Sequence, residues 1–223
     1  MWLLRTDPSP RDALQRHQPA QWSVSERRPL PITDASELTQ LSDVLEFRRS
    51  DREFGDVAIT SLAALLWHGA RTKASSVSLT GVSIEHRLAP SAGAIHPIHL
   101  VIQLPKENGW ARYNPQTHCL DVLADTGQCL DPLIEHCDSV LSRQDGSLML
   151  FVAEPGKTSE KYENSESLVW RDAGILQGCL GLIAASLALN YCLLGITGNP
   201  WVASLSDQGE LQGVGMAILG ARP

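Results

Sequence analysis

Residues 87–97, "RLAPSAGAIHP", run directly into residues 98–104, "IHLVIQL". The second stretch is a short, mostly apolar run and predicts a strand buried in a sheet. The first places Arg87, Pro90, Ser91, Gly93 and Pro97 at the mouth of that strand. The two prolines stiffen the ends, and the small residues between them leave backbone N–H groups open to close approach. Two readings stay open on these residues alone. The turn is a plain loop, or it is a backbone cradle for an anionic or planar ligand.

Outward from this point the chain reads as helices around one sheet. Upstream, "DASELTQLSDVLEFRRS" begins with Asp34 or Ser36 as a helix N-cap, and Leu38, Leu41, Val44 and Leu45 follow at helical spacing. "ITSLAALLWHGA", residues 59–70, predicts a second helix, capped by Thr60 and ended by Gly69. Residues 71–86 are polar and predict a mobile loop. Downstream, "WARYNPQTHCLDVL" reads as a hairpin and "LDPLIEHCDSVLSRQ" as an amphipathic helix opened by Asp131 and Pro132. "LMLFVAE" is a core strand, a long helix is expected from about 165 to 190, and "YCLLGIT" and "VGMAIL" supply two more strands. Residues 1–35 show no sustained period and predict a loosely ordered N-terminal arm. Residues 36–223 are expected to form a single α+β domain.

Composition narrows the function classes. The 223 residues are 43% hydrophobic and 19% charged, which describes an ordinary globular protein. A formal charge of −7, with no basic stripe, argues against a nucleic-acid partner. The longest apolar run, "GILQGCLGLIAASLAL" at 174–189, contains Gln177 and falls short of a bilayer span, so no membrane role is expected. The start of the chain is too short in apolar residues for a signal peptide. Five cysteines without a C-x-x-C pair predict a reducing, cytoplasmic setting. His96 and His99 lie an odd number of residues apart, so on an extended chain they cannot share a metal, and no metal is expected. "PGKTSEK" lacks the first glycine of a P-loop, and no serine sits in G-x-S-x-G.

Four stretches carry chemistry. In "FRRSDREF", residues 47–54, Arg48 and Arg52 are spaced i, i+4, and would present two guanidinium forks beside Ser50 at a helix face or its exit. Taken alone, such arginines also complement a helix dipole. "APSAGAIHP" is the turn already described. In "SEKYENSE", Lys161 and Tyr162 stand just before the long helix, and a lysine beside a tyrosine lowers the phenol pKa to give an acid/base pair. "LLGITGNP", residues 193–200, is a strand entering a glycine turn with free amides. The alternative for each is an exposed loop.

In this order and spacing the stretches resemble the flavin-dependent nitroreductase superfamily, and more narrowly its SagB-type dehydrogenase branch, which includes azoline oxidases of peptide modification. The resemblance covers about residues 37–220. It implies a mostly antiparallel central sheet flanked by helices, with a long buried helix at a homodimer interface, and FMN bound between subunits. It implies that Arg48, Arg49, Ser50 and Arg52 hold the FMN phosphate and ribityl chain, with Arg222 as a further phosphate contact. Pro90, Ser91, Ala92 and Gly93 would line the flavin from the opposite subunit, and Gly195, Ile196, Thr197 and Gly198 would supply amides near its ring. Lys161 and Tyr162 would handle the proton that accompanies hydride transfer at flavin N5. The implied function is an FMN-dependent oxidoreductase of dehydrogenase type in peptide or small-metabolite tailoring, such as azoline-to-azole oxidation, with partner enzymes of a tailoring complex. An NAD(P)H-dependent nitro or quinone reductase, and a flavin-binding or degenerate scaffold subunit, are the alternatives. His96 and His99 depart from the branch pattern, which carries a tyrosine and an acidic residue there.

Overall fold

The computed structural model describes residues 6–32, 38–78, 81, 83–104, 107, 109–124 and 126–223. Its sixteen helices and strands run β1 (Ser9–Pro10), β2 (Val24–Pro29), α1 (Leu41–Phe47), α2 (Ile59–Ala70), β3 (Ala74–Val77), β4 (Ser83–His86), β5 (Ile98–Gln103), β6 (Trp110–Asn114), β7 (Cys119–Leu123), α3 (Gly127–Val140), β8 (Ser147–Ala153), α4 (Pro155–Ser159), β9 (Tyr162–Glu163), α5 (Glu166–Ser186), β10 (Leu189–Leu194) and β11 (Gln212–Ala221). Seven strands form one sheet in the order β10-β11-β8-β5-β6-β7-β2. Every neighbouring pair in it is antiparallel. This is an α+β architecture.

The centre of the sheet explains why "LMLFVAE" does not alternate in polarity. Leu148, Leu150 and Val152 of β8 enter the cluster that also holds Leu130, Leu133 and Val202. Met149, Phe151 and Ala153 enter the opposite cluster, with Leu62, Leu66, Ala173 and Leu180 of α2 and α5. A strand covered on both faces is apolar on both. The two clusters sandwich the sheet between α2 and α5 on one side and α3 with the 3₁₀ turn Trp201–Leu205 on the other.

Several expectations need correction. The N-terminal stretch contributes β2, the sheet's edge strand, and β1, which pairs with β9. β2 reads "VSERRP" and is almost wholly exposed, so it has no apolar period to detect. Residues expected as a mobile loop form the β3–β4 hairpin, whose strands bury no side chain. Helix α2 is preceded by Ala58, with Thr60 inside it, and Gly69 does not end it. A Cβ at Gly69 would meet Leu180 Cδ2 at 2.7 Å, so this glycine permits close packing of α2 on α5. Helix α3 starts at Gly127 and contains Pro132 in its interior. Helix α5 ends at Ser186, where Ala188 takes a φ of 57° and β10 follows. Asp34 and Ser36 lie outside the described residues; α1 begins at Leu41, and of its apolar side chains only Val44 is buried.

Candidate functional site

The turn at residues 91–96 is built on a buried carboxylate. Asp172 of α5 accepts hydrogen bonds from Ser91 Oγ at 2.5 Å and from the Ala92 amide at 3.1 Å. Burial raises its pKa, opposed by the Ser91 and Ala92 bonds. Ser91 Oγ in turn accepts from the His96 amide at 2.9 Å. Gly93, Ala94 and His96 have φ values of 62°, 57° and 52°. The left-handed region is costly for residues with a Cβ, and the bonds from Asp172 and Ser91 hold the chain there. Sequence reasoning did not single out Asp172; an acidic residue within a long helix expected to be buried was the available signal.

Lys161 and Tyr162 pack onto this turn. A Cβ at Gly93 would meet Tyr162 Oη at 2.8 Å and Lys161 Nζ at 3.0 Å. Lys161 Nζ lies 5.6 Å from the centre of the Tyr162 ring. Lys161, Tyr162 and the "PSAG" turn, about 70 residues apart in sequence, are thus one cluster. The N-terminal segment braces it from behind: the Arg11 amide donates to Lys161 O at 2.8 Å, and Arg11 Nε donates to Ser159 O at 2.7 Å.

The arginines sit elsewhere. Helix α1 stops at Phe47, so Arg48 is its C-cap and Arg52 lies in the extended segment beyond; they leave the helix rather than share one of its faces. Arg48, Arg49, Ser50 and Arg52 are all exposed. Arg49 pairs with Asp51 at 2.9 Å. Arg49 and Arg222 line a cleft of about 480 Å³ together with Phe47, Asp51, Glu53 and Asn190. Asn190 Nδ2 donates to Glu53 O at 2.7 Å and ties this segment to the start of β10.

Residues 195–198 occupy the opposite end of β10. Leu189 pairs with Ala221 and Leu194 with Met216, so Arg222 lies beyond one end of that strand and Gly195 beyond the other, and the strand between them spans roughly 17 Å at 3.3–3.4 Å per residue. A Cβ at Gly195 would meet nothing within 4 Å, leaving its backbone open. Ile196 is buried and Thr197 exposed. Gly198, with φ of 96°, turns the chain, and Asn199 fastens the turn by exchanging two hydrogen bonds with the Gly213 backbone, at 2.9 and 3.1 Å. The bulge between Gly213 and Gly215 makes room for it.

No protein-family model and no curated protein sequence matches the chain. Solved structures do. A candidate nitroreductase from Ralstonia eutropha JMP134 superposes with a TM-score of 0.66 at 23% identity, over 98% of this chain and 99% of that one. The fold is that of the nitroreductases. A structure of the Escherichia coli microcin synthetase McbBCD complex, with truncated pro-MccB17 bound, matches at a TM-score of 0.61 and 17% identity, over 83% of this chain and 74% of that one. A candidate nitroreductase from Desulfovibrio desulfuricans in complex with FMN matches at 0.53 and 14%, over 82% and 86%. Within the nitroreductase fold of this chain, the predicted site residues therefore fall into three groups: the turn with its Lys-Tyr pair, the arginine cleft, and the glycine turn after β10.

Proposed function

We propose that this protein is an FMN-dependent oxidoreductase of dehydrogenase type that works as a homodimer. The observation that carries the reading is the convergence of Lys161 and Tyr162 on Gly93. It joins a proton-handling pair to a turn able to lie against a flat ring. The nitroreductase fold supports it, and solved structures of that fold from Bacteroides fragilis and D. desulfuricans are described with FMN bound.

The residues fit the cofactor. The cleft beside β10 offers Arg49 and Arg222, with exposed Arg48 and Arg52 nearby, to a phosphate. The backbone at Gly195, open at the other end of the same strand, offers amides to a ring. Two such stations along one strand suit an elongated ligand with a charged tail and a planar head. Bound there, FMN would supply two-electron chemistry at its N5 atom. Because Lys161 and Tyr162 pack on the turn of their own chain, both approach the ring from one subunit, while Arg48, Arg49, Ser50, Arg52, Arg222 and residues 195–198 belong to the other. Pro90, Ser91, Ala92 and Gly93 then form the wall that closes the ring off from water.

Lys161 or Tyr162, which lie together against Gly93, would take the proton from a substrate carbon. An azoline ring in a peptide is the substrate this reading favours, supported by the likeness to the microcin synthetase complex. Partner enzymes of a tailoring complex and a cytoplasmic location belong to the same reading. A second reading, an NAD(P)H-dependent reductase, draws on a candidate NADH oxidase from Clostridium acetobutylicum with a TM-score of 0.50. Fast bleaching of bound flavin by NADPH would favour it over the dehydrogenase.

The test is the visible spectrum of the pure protein, then fluorescence titration of FMN into wild type and Arg48→Ala. Wild type should bind FMN stoichiometrically, and the variant roughly tenfold or more weakly. A protein that takes up no flavin ends the proposal.

A further inference from the structure

Strands β5 and β6 part company midway. They pair from Gln103 with Trp110 to Val101 with Arg112, and there the ladder stops. β5 stays paired to β8 as far as Ile98, and β6 stays paired to β7 as far as Asn114. The sheet is therefore split at its end, and the split is a cavity of about 180 Å³ lined by Glu85, Arg87, His99, Arg112, Tyr113 and Lys157 among others. That volume equals about six waters at roughly 30 Å³ each. It admits a small ligand.

The carboxylates around the split are already engaged. Glu85 accepts from Arg87 at 2.6 and 2.8 Å, from Thr72 at 2.5 Å and from Gln116 at 2.8 Å. Glu154 accepts from the Ala20 amide and contacts His17 and His99. Asp121 takes Arg27 at 2.7 Å and Arg112 at 3.0 Å. Two cations keep donors to spare. Lys157 Nζ makes one hydrogen bond, to His96 O at 3.2 Å, and among the described residues no carboxylate pairs with it. Arg112 Nε is buried and has no hydrogen-bond partner among the described residues. A buried donor without an acceptor is rare in folded proteins and calls for one.

We propose that the split between β5 and β6 is a binding site for a small oxyanion, a carboxylate or phosphate, held by Lys157 and Arg112. The site stands apart from the arginine cleft and does not depend on the flavin reading. A smaller cavity under the Ser91 turn shares Ala70, Arg87, Ile98 and Leu176 with it and also touches His96 and Asp172. An anion that draws Lys157 away from His96 O would thereby reach the turn against which Lys161 and Tyr162 pack, through the bond from the His96 amide to Ser91 Oγ.

The experiment is calorimetric titration and thermal melting of the protein as purified, with sodium phosphate and sodium acetate in separate series. Ionic strength is held constant with sodium chloride, and flavin content is recorded by absorbance. At least one anion should bind saturably and raise the melting temperature as its concentration passes the dissociation constant. Lys157→Gln and Arg112→Lys should each weaken that binding tenfold or more; the second keeps a cation for Asp121 and guards against simple unfolding. Arg48→Ala should bind the anion as wild type does. Which of the two anions binds identifies the ligand class. Saturable binding of neither, unchanged binding in Lys157→Gln and Arg112→Lys, or loss of binding in Arg48→Ala would overturn the proposal.

Discussion

Asp172 and His96 show how two buried polar side chains shape one turn, the first from a helix far along the chain and the second from within the turn itself. Asp172 holds the first half of the turn through Ser91 and Ala92. His96 closes the second half, its ring bonded to Glu85 O at 2.8 Å and its own carbonyl to Lys157. Burial, with Arg87 nearby, pushes the His96 pKa from 6.5 down to about 4. The sign of the consequence follows. Between pH 6.5 and about 4 the unfolded chain binds a proton that the folded chain refuses, so this contribution is complete above pH 6.5 and is lost as pH falls through that window. Burial lowers His99 in the same direction. The melting temperature should therefore drop on acidification from pH 6.5 to 4. His96→Asn tolerates the positive φ and removes the titrating ring, so its pH profile should be shallower; equal profiles would show that His96 does not titrate in this way. For the acid/base pair, Lys161→Ala with Tyr162→Phe should leave flavin content intact and remove oxygen-coupled turnover. Full turnover in that double variant would return the two residues to the status of a loop.

Element boundaries follow from close approaches more than from propensity. Gly213 lies in the bulge of β11, where a Cβ would run into Thr197 O and come within 2.8 Å of Val202 Cγ2. The obstacle is backbone, so it cannot rotate aside. Gly213→Ala should cost about 1–3 kcal/mol by overpacking and disorder residues 195–198. The check is a denaturation midpoint that falls with unchanged slope, together with weaker FMN binding; a variant as stable as wild type would show that the bulge relaxes freely. The same logic explains which elements were legible. β8 announces itself by an unbroken apolar run and β5 and α5 by predominantly apolar ones, and "ITSLAALLWHGA" matches α2 residue for residue. β2, β3 and β4 carry polar side chains on both faces and are stabilised by backbone pairing with partners distant in sequence or across a turn, which leaves no periodic trace.

The whole molecule leaves an apolar surface uncovered. Leu41, Leu45 and Phe47 of α1 are 62%, 63% and 44% exposed, and Trp170 and Ile175 of α5 are about 40% exposed. Helix α5 is long and apolar enough to cross a membrane, yet Val169, Ala173, Leu180 and Ala184 set one of its faces into the core. Its other face includes Gly174 and Gly178, where a Cβ would meet nothing within 4 Å. Large apolar side chains left exposed on two helices suit an interaction site, and a second copy of the chain is the occupant proposed above. Light scattering should give a dimer for wild type and a monomer for Trp170→Glu, with FMN binding lost in the monomer. A wild-type monomer at micromolar concentration would remove the shared site.

From residue order alone come the two-sided core strand, the long helix, the α+β class, and the four stretches rich in donors and small side chains. These are local properties: apolar period, turn chemistry and charge type are written into a window of ten or twenty residues. Only folding decided which stretches meet. It brought Lys161 and Tyr162 onto Gly93, put Arg222 and Gly195 at opposite ends of one strand, and placed Lys157 and Arg112 in the parting of β5 from β6. Such meetings depend on pairing register and on packing between segments far apart in the chain, and no single window contains them.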